Sequence, residues 1–473
     1  MSLLIPGTNS IKETGYDVDN SVRVNASSTP HMAVTQGTPT NVDKYTFSVW
    51  VKRADIGAGN SKIFSVSSGS ATGEEKLEFN QDDLIWRQTD TSGNTNWERV
   101  TDRKFRDAGA WYNIIVAYDS SQGTAADRCK MYINGVQETS FSGSPNPSSG
   151  QDSYTNTSGR SLKFFALHSS LATQTAGGYF AEMVYIDGQQ LDQTSFGQFD
   201  SNSPTVWVPK DVSGLTFGNN GFYCEFKNSS ALGTDTSGNS NNLSTTNFST
   251  TDQSTDTCTN NSATFNPLNP SSSNISFAEG SLTFKTDGSA SGQKAAFGNF
   301  GVSTGKWYAE FKMTAVSTQS GSFPYAGVAG IDKFAHTYIG ANLDSVAYNT
   351  NGAVYSNESE IDSGEAGYGA GNIVGVAADI TNKKIYIHVN GTYINSQNPV
   401  SGANGYTLPT NTGGFYTFAV SLYGANGTWE ANFGSPSFSI SSGNTDDNNY
   451  GNFEYDVPAG FYSLNTKNLA EFG

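Results

Sequence analysis

Three carboxylates in Glu360-Ile361-Asp362-Ser363-Gly364-Glu365 have a spacing that could do chemistry. Glycoside hydrolysis needs two such groups on one face of a strand, one as nucleophile and one as general acid, about 5 Å apart in retaining enzymes. The hexapeptide sits within SNESEIDSGEAGYGAG, among Ser and Gly rather than strand formers. The expectation is therefore a solvated acidic loop with no fixed carboxylate geometry. Asp235, Asn239 and Asn241, in DTSGNSNN, present side-chain oxygens at alternate positions as calcium loops do, and they are the metal candidates. The downstream acidic residue of an EF-hand-like loop is missing, and Asx turns produce the same composition. Beyond calcium at that loop, no cofactor site is legible. His31, His168, His336 and His388 are isolated from one another, with no Ser or Cys arranged beside them as a nucleophile. No Gly-rich segment opens a helix as a phosphate loop does. The chain reads as a protein that is not an enzyme.

Binding is the other chemistry to consider, and aromatic side chains carry it. The chain has 23 Tyr, 29 Phe and 7 Trp. A sugar offers apolar C–H faces that stack on exposed rings, while amides and carboxylates bond its hydroxyls. Tyr325, Tyr338, Tyr348, Tyr355 and Tyr368 are interleaved with Asn, Asp and Gly, and they form the candidate binding surface. Trp86 and Trp97 join it, from the polar stretch LIWRQTDTSGNTNWERV, which reads equally as strand or loop. Trp50, Trp111 and Trp307 fall in strand patterns and are assigned to the core.

These residues must be positioned by β structure. Of 473 residues 51 are Gly and only 15% are charged, which favours short strands and turns over solvated helices. FSVWVKR at 47–53 alternates apolar and polar residues as a half-buried strand does. AWYNIIVAYD at 110–119 is a longer, mostly apolar run suited to a central strand. KMYINGVQ at 130–137 and KKIYIHVNGTYI at 383–394 are each a strand, an Asn-Gly turn and a returning strand. The fold class is all-β: two antiparallel jelly-roll sandwiches, 1–212 and 274–473, joined by a Ser/Thr/Asn-rich connector at 213–273. The net charge of −17 repels phosphate backbones and argues against nucleic acid as a partner. Cys129, Cys224 and Cys258 cannot close a disulfide framework and are expected to be free. No segment approaches the roughly 20 apolar residues of a membrane helix, so membrane insertion is not expected. The N-terminus lacks a basic region followed by an apolar stretch, so no signal peptide is expected.

FSVWVKR, AWYNIIVAYD and KMYINGVQ resemble the core strands of laminin-G-like, concanavalin-type jelly rolls. GKWYAEFKM at 305–313, GNIVGVAADITNKKIYIHVNGTYI at 371–394, ANFGSPSF at 431–438 and DVPAGFYSLN at 456–465 resemble a SPRY domain in order and spacing. Joined through TDQSTDTCTNNSATFNPL at 251–268, the two halves resemble a family of bacteriophage virion proteins, usually tail-fibre or other structural components. The resemblance implies a virion location, synthesis in the host cytoplasm, and partners that are other virion proteins and a host-surface glycan or protein. A homo-oligomer is compatible with it, although no heptad repeat demands one. A capsid-decorating or tail structural protein that binds only virion partners is the alternative. A glycan-degrading enzyme on the same fold stands behind both.

Overall fold

The computed structural model describes residues 15–70, 72–143, 145–168, 175–268, 273–317, 323–331, 338–341 and 344–473. His336 lies outside them. The chain forms two compact units that divide between Thr259 and Asn260.

The first unit is a sandwich of an eight-stranded and a seven-stranded sheet. In the larger sheet Lys44–Arg53 lies between Trp111–Asp119 and Gly178–Asp187, antiparallel to both. Along Lys44–Arg53, Tyr45, Phe47, Val49 and Val51 enter the core between the sheets, as the period of two requires. The alternate residues are also buried: Trp50 packs with Trp111, Tyr179 and Trp207 on the outward face. Trp50 and Trp111 are therefore buried as expected, but beneath a cover on the far side of the sheet. The smaller sheet runs Ser244–Thr246, His31–Thr35, Ser161–Phe164, Ser61–Ser67, Glu74–Asn80, Asp83–Thr89, Thr95–Val100.

The stretch expected as a connector, 213–273, does not link two bodies as a free segment. Phe222–Cys224 pairs with Gly178–Asp187, Ser244–Thr246 extends the smaller sheet beside His31–Thr35, and Gln253–Ser254 pairs with Ser21–Val24. Phe222, Cys224, Phe226, Leu232 and Leu243 are all in the first core. Its low apolar content is concentrated at those few anchors, and Asx-type turns carry the chain between them. The last part of the stretch serves the second unit, where Ala263 and Phe265 enter the core.

The second unit pairs a nine-stranded with a six-stranded sheet. Lys306–Ala315 lies between Thr428–Asn432 and Ile373–Asp379, and it sends Trp307, Ala309, Phe311 and Met313 into the core. Tyr462–Ser463 pairs with it in parallel; the other pairings of these sheets are antiparallel. Asn390 and Gly391 have φ of 49° and 84°, and Asn134 and Gly135 have 48° and 76°, so both Asn-Gly turns take the expected all-positive form. A short helix, Thr466–Phe472, is capped by the Asn465 side chain, which accepts from Asn468 N. The three cysteines are free.

Phe222 tests whether the 213–259 segment is structural. Phe222→Ala removes a fully buried ring from the first core and is expected to cost about 3–5 kcal/mol, measured by denaturant unfolding. A free linker residue would cost nothing measurable.

Candidate functional site

The six-stranded sheet has apolar residues on both faces. In Tyr325–Gly330, Ala326 and Val328 enter the main core, whereas Tyr325 and Ala329 lie on the opposite, outward face. Neighbouring strands repeat the division, with Ala296, Val346, Phe418 and Val420 inward and Ala295, Ala347 and Ala419 outward. These small outward residues form a floor on which rings can lie. The Tyr325 ring stacks on Tyr338 at 5.0 Å and meets Tyr355 edge-on at 5.9 Å. Tyr338 and Tyr355 are half-buried, and Tyr325 lies beneath them. Ser421 is opposite Tyr325 in the ladder, and its buried hydroxyl has no hydrogen-bond partner. At the rim, Tyr355 Oη donates to Glu360 Oε2 at 2.9 Å. That bond is the leading cause of the raised pKa of the Tyr355 hydroxyl, whereas burial pushes Tyr325 up to about 12. Neither phenol ionises near neutrality, so the face offers ring surface, neutral hydroxyls and one anchored carboxylate. Such a surface can stack on a sugar or an apolar side chain and accept a hydroxyl at Glu360.

Three of the five predicted tyrosines thus meet. Tyr348 and Tyr368 do not: alternation along Val346–Asn349 turns Tyr348 into the core, and Tyr368 enters it from the loop after Ser359–Asp362. Tyr348 bonds the Ala366 carbonyl, and Tyr368 Oη lies 2.9 Å from the carbonyls of Pro324 and Tyr348. Tyr368 packs against Trp429, with centroids 5.8 Å apart. Trp86 and Trp97 are also core residues, both 0% exposed and 4.9 Å apart in an edge-to-face pair. The polar stretch around them is a hairpin, Asp83–Thr89 with Thr95–Val100, in which Gln88 and Arg99 share the inward face with the tryptophans and are themselves buried. Trp86 Nε1 donates to Tyr45 Oη, which donates to the buried Glu75. The two tryptophans therefore hold the interior together and cannot contact a partner.

The acidic motif is not a loop throughout. Ser359–Asp362 is the edge strand of the six-stranded sheet, paired with Val354–Ser356. A two-residue turn connects them, with Asn357 at φ 46° and Glu358 at 70°, a hairpin turn made without glycine. The carboxylates of the motif do not act together. Glu360 accepts from Tyr355 on the outward face, while Asp362 accepts from Tyr406. Glu360 and Asp362 are thus each held by a different tyrosine.

The loop predicted to bind calcium uses its side chains on its own backbone. Asp235 Oδ1 accepts from the Tyr223 and Ser237 amides, and Oδ2 from the Asn241 amide. Asn239 and Asn241 both turn their amide groups to donate to the Gly221 carbonyl. These are Asx-turn bonds that close the loop onto residues 218–223.

Among the buried carboxyls that sequence reasoning missed, two lie on outward faces, each signalled by a Glu inside an apolar strand. Glu310, in Lys306–Ala315, accepts from Tyr308 Oη, Asn432 Nδ2 and the amides of Glu454 and Tyr455. It anchors the chain that covers the outward face of the nine-stranded sheet. His388 belongs to the same network, receiving the Gly391 amide at Nδ1 and lying 2.7 Å from Tyr308 Oη through Nε2. Because Tyr308 donates to Glu310, His388 must carry its proton on Nε2 and donate to Tyr308. The second carboxyl is Glu182, at a bulge in Gly178–Asp187 and with φ of 50°. It lines a cavity of about 360 Å³ in the first unit, together with Asp17, Asp19, Asp211, Glu225 and Lys227. Among the described residues no group of His, Cys, Asp and Glu is arranged to hold a metal ion.

Comparison with known proteins agrees with this architecture. Residues 25–170 match the laminin-G family model described as the concanavalin A-like lectin/glucanases superfamily. No curated protein matches the chain. Among solved structures, the SPRY domain of human HERC1 is similar at 15% identity, over 35% of this chain and 96% of that one, with a TM-score of 0.29. A human SPRY domain is 16% identical over 36% of this chain and 98% of that one, with a TM-score of 0.26. A native heptameric SAP-like pentraxin from Limulus polyphemus is 15% identical over 37% and 79%, with a TM-score of 0.29. The class is thus a nearly all-β protein with a concanavalin-type, laminin-G-like sandwich in its first unit. No helix among the described residues is long and apolar enough to cross a membrane.

The Glu310–Tyr308–His388 network predicts a cancellation in pH dependence. Burial pushes Glu310 up to about 7, so its contribution to stability is complete below its ordinary 4.5 and lost as pH rises to about 7. Burial lowers His388 to about 3, so its contribution is present above 6.5 and lost as pH falls toward 3. Between pH 4.5 and 6.5 the two slopes oppose. Relative to the wild type, Glu310→Gln should lose melting temperature on acidification through this window, and His388→Gln should gain it. Calorimetry is expected to resolve shifts of about 2–4 °C per kcal/mol. Slopes of the same sign in both variants would show that the groups are not linked as described.

Proposed function

We propose that the chain is a non-catalytic surface protein of a bacteriophage particle, a tail fibre or related appendage, that recognises a host-surface glycan or protein. The observation that carries this reading is the convergence of Tyr325, Tyr338 and Tyr355 on the outward face of one sheet, with Glu360 anchored at its rim. The separation of Glu360 from Asp362 by different hydroxyl partners supports binding over catalysis. A shallow face of half-buried rings gives modest affinity per copy, and a particle that displays many copies multiplies it without a deep pocket.

Alanine at Tyr338 or Tyr355 is expected to weaken binding to isolated host-envelope glycans about tenfold each, roughly 1.4 kcal/mol. The far-ultraviolet circular dichroism spectrum should not change. Glu360→Gln should act in the same direction with a smaller loss. Glycan-array binding of the purified chain, followed by adsorption of particles carrying each variant, makes the measurement. Particles that adsorb normally yet fall apart more readily would sink this reading and favour a role confined to contacts with other virion proteins.

A further inference from the structure

Glu182 occupies a position where the sheet is interrupted. The strand Gly178–Asp187 pairs along one edge with Lys44–Arg53, but its other edge is shared. Ser21–Val24 covers residues 178–180 and Phe222–Cys224 covers 183–185, and Glu182 lies in the gap between them. The bulge places its side chain on the outward face at a left-handed backbone angle that few residues of this kind adopt. There its carboxyl meets two phenols. Tyr223 Oη donates to Glu182 Oε2 at 2.5 Å, Tyr16 Oη lies 3.4 Å from the same oxygen, and the two phenol oxygens are 3.0 Å apart.

Tyr16 belongs to a strap that crosses the outward face of the eight-stranded sheet. Two residues on, Val18 packs among Trp50, Trp111, Tyr179, Ala181 and Trp207. The Val18 amide donates to Thr259 Oγ1 at 3.0 Å. We propose that this strap, residues 16–18, is a pH-sensitive latch: the protonated Glu182 carboxyl holds it against the sheet, and ionisation of that carboxyl releases it.

Burial of Glu182 sets the sign, and the neighbouring charge of Glu225 adds to it. The strap brings Asp17 and Asp19, the segment after Trp207–Pro209 brings Asp211, and the chain after Phe222–Cys224 brings Glu225, all to one cavity. Lys227 is the cation there, and it is already paired with Glu225 at 2.5 Å. On the adjoining strand Lys52 is paired with Asp256, and the Cys258 thiol behind the strap is held neutral by burial. An ionised Glu182 would thus be a fifth carboxylate in a cavity whose lining, among the described residues, includes Lys227 as its cation. The phenol hydrogen bonds favour the ionised form, but burial outweighs them and raises the carboxyl to about 7. A released strap returns Glu182 to water and to its ordinary value of 4.5, so the closed form loses ground as pH rises between these limits.

Hydrogen exchange of the full chain tests the latch at the Val18 amide. Protection, corrected for the intrinsic pH dependence of exchange, should fall between about 10-fold and 70-fold from pH 5 to pH 8. Glu182→Gln should hold the strap and remove that dependence, whereas Tyr16→Phe should lower protection already at pH 5. Glu225→Gln, on a partly exposed side chain, should narrow the fall by removing one repelling charge and freeing Lys227, which keeps the test decisive if Glu182→Gln fails to fold. Protection that is flat with pH in the wild type would overturn the proposal. So would a fall of the same size in Glu182→Gln or, should that variant not fold, in Glu225→Gln.

Discussion

A β-strand presents its side chains alternately to two faces, and in three of the four main sheets both faces carry apolar residues, whereas the outward face of the seven-stranded sheet carries the ion pairs of Lys62 and Lys76 with Glu78 and Glu74. The inward faces meet as the two cores. These outward apolar faces are covered by other parts of the chain, one of them the two-stranded sheet of Gly197–Phe199 and Trp207–Pro209. In the first unit the cover comes from residues 16–18, from Trp207 and from the segment with Phe217 and Tyr223. In the second, Phe453 and Phe461 lie over Tyr308 and Tyr386 on the nine-stranded sheet. The outward face of the six-stranded sheet is closed differently, by its own tyrosines.

Covering an outward face buries polar groups as well as rings, and the two buried glutamates show how this is managed. Glu310 is surrounded by donors, two of them amides of the covering chain, so it acts as the point to which that chain is tied. Glu182 accepts from phenols, and the cavity beside it is lined by carboxylates together with Lys227. Four donors tie the covering chain to Glu310, whereas fewer leave the strap beside Glu182 able to move when the carboxyl ionises. The same device therefore anchors a covering chain in one unit and forms the proposed latch in the other.

The tyrosine face follows from the same constraint. Alanines beneath it leave room for rings, and the ring of Tyr325 is sealed only in part by Tyr338 and Tyr355. The half-buried state of those two rings is what makes them available to a ligand while keeping them ordered. Order matters for affinity, because rings already fixed in place lose little freedom on binding.

Much of this was legible in the order of residues. Period-two alternation at 47–53 and 305–313 and the Asn-Gly turns at 134–135 and 390–391 identified strands, hairpins and the all-β class, because side-chain direction and turn geometry are local properties. The strand at 359–362 was not legible, since its turn, Asn357-Glu358, lacks glycine and its pairing depends on a neighbour already in place. The segment 213–259 resembled a linker because its few anchors, Phe222, Leu232 and Leu243, are far apart in sequence. What sequence alone determined was therefore which side chains share a face of their own strand. Which face becomes core, which is capped by distant chain, and which keeps rings open to a partner was decided only by tertiary structure. The local chain sets a side chain's direction, but the atoms that bury it or bond it arrive from hundreds of residues away.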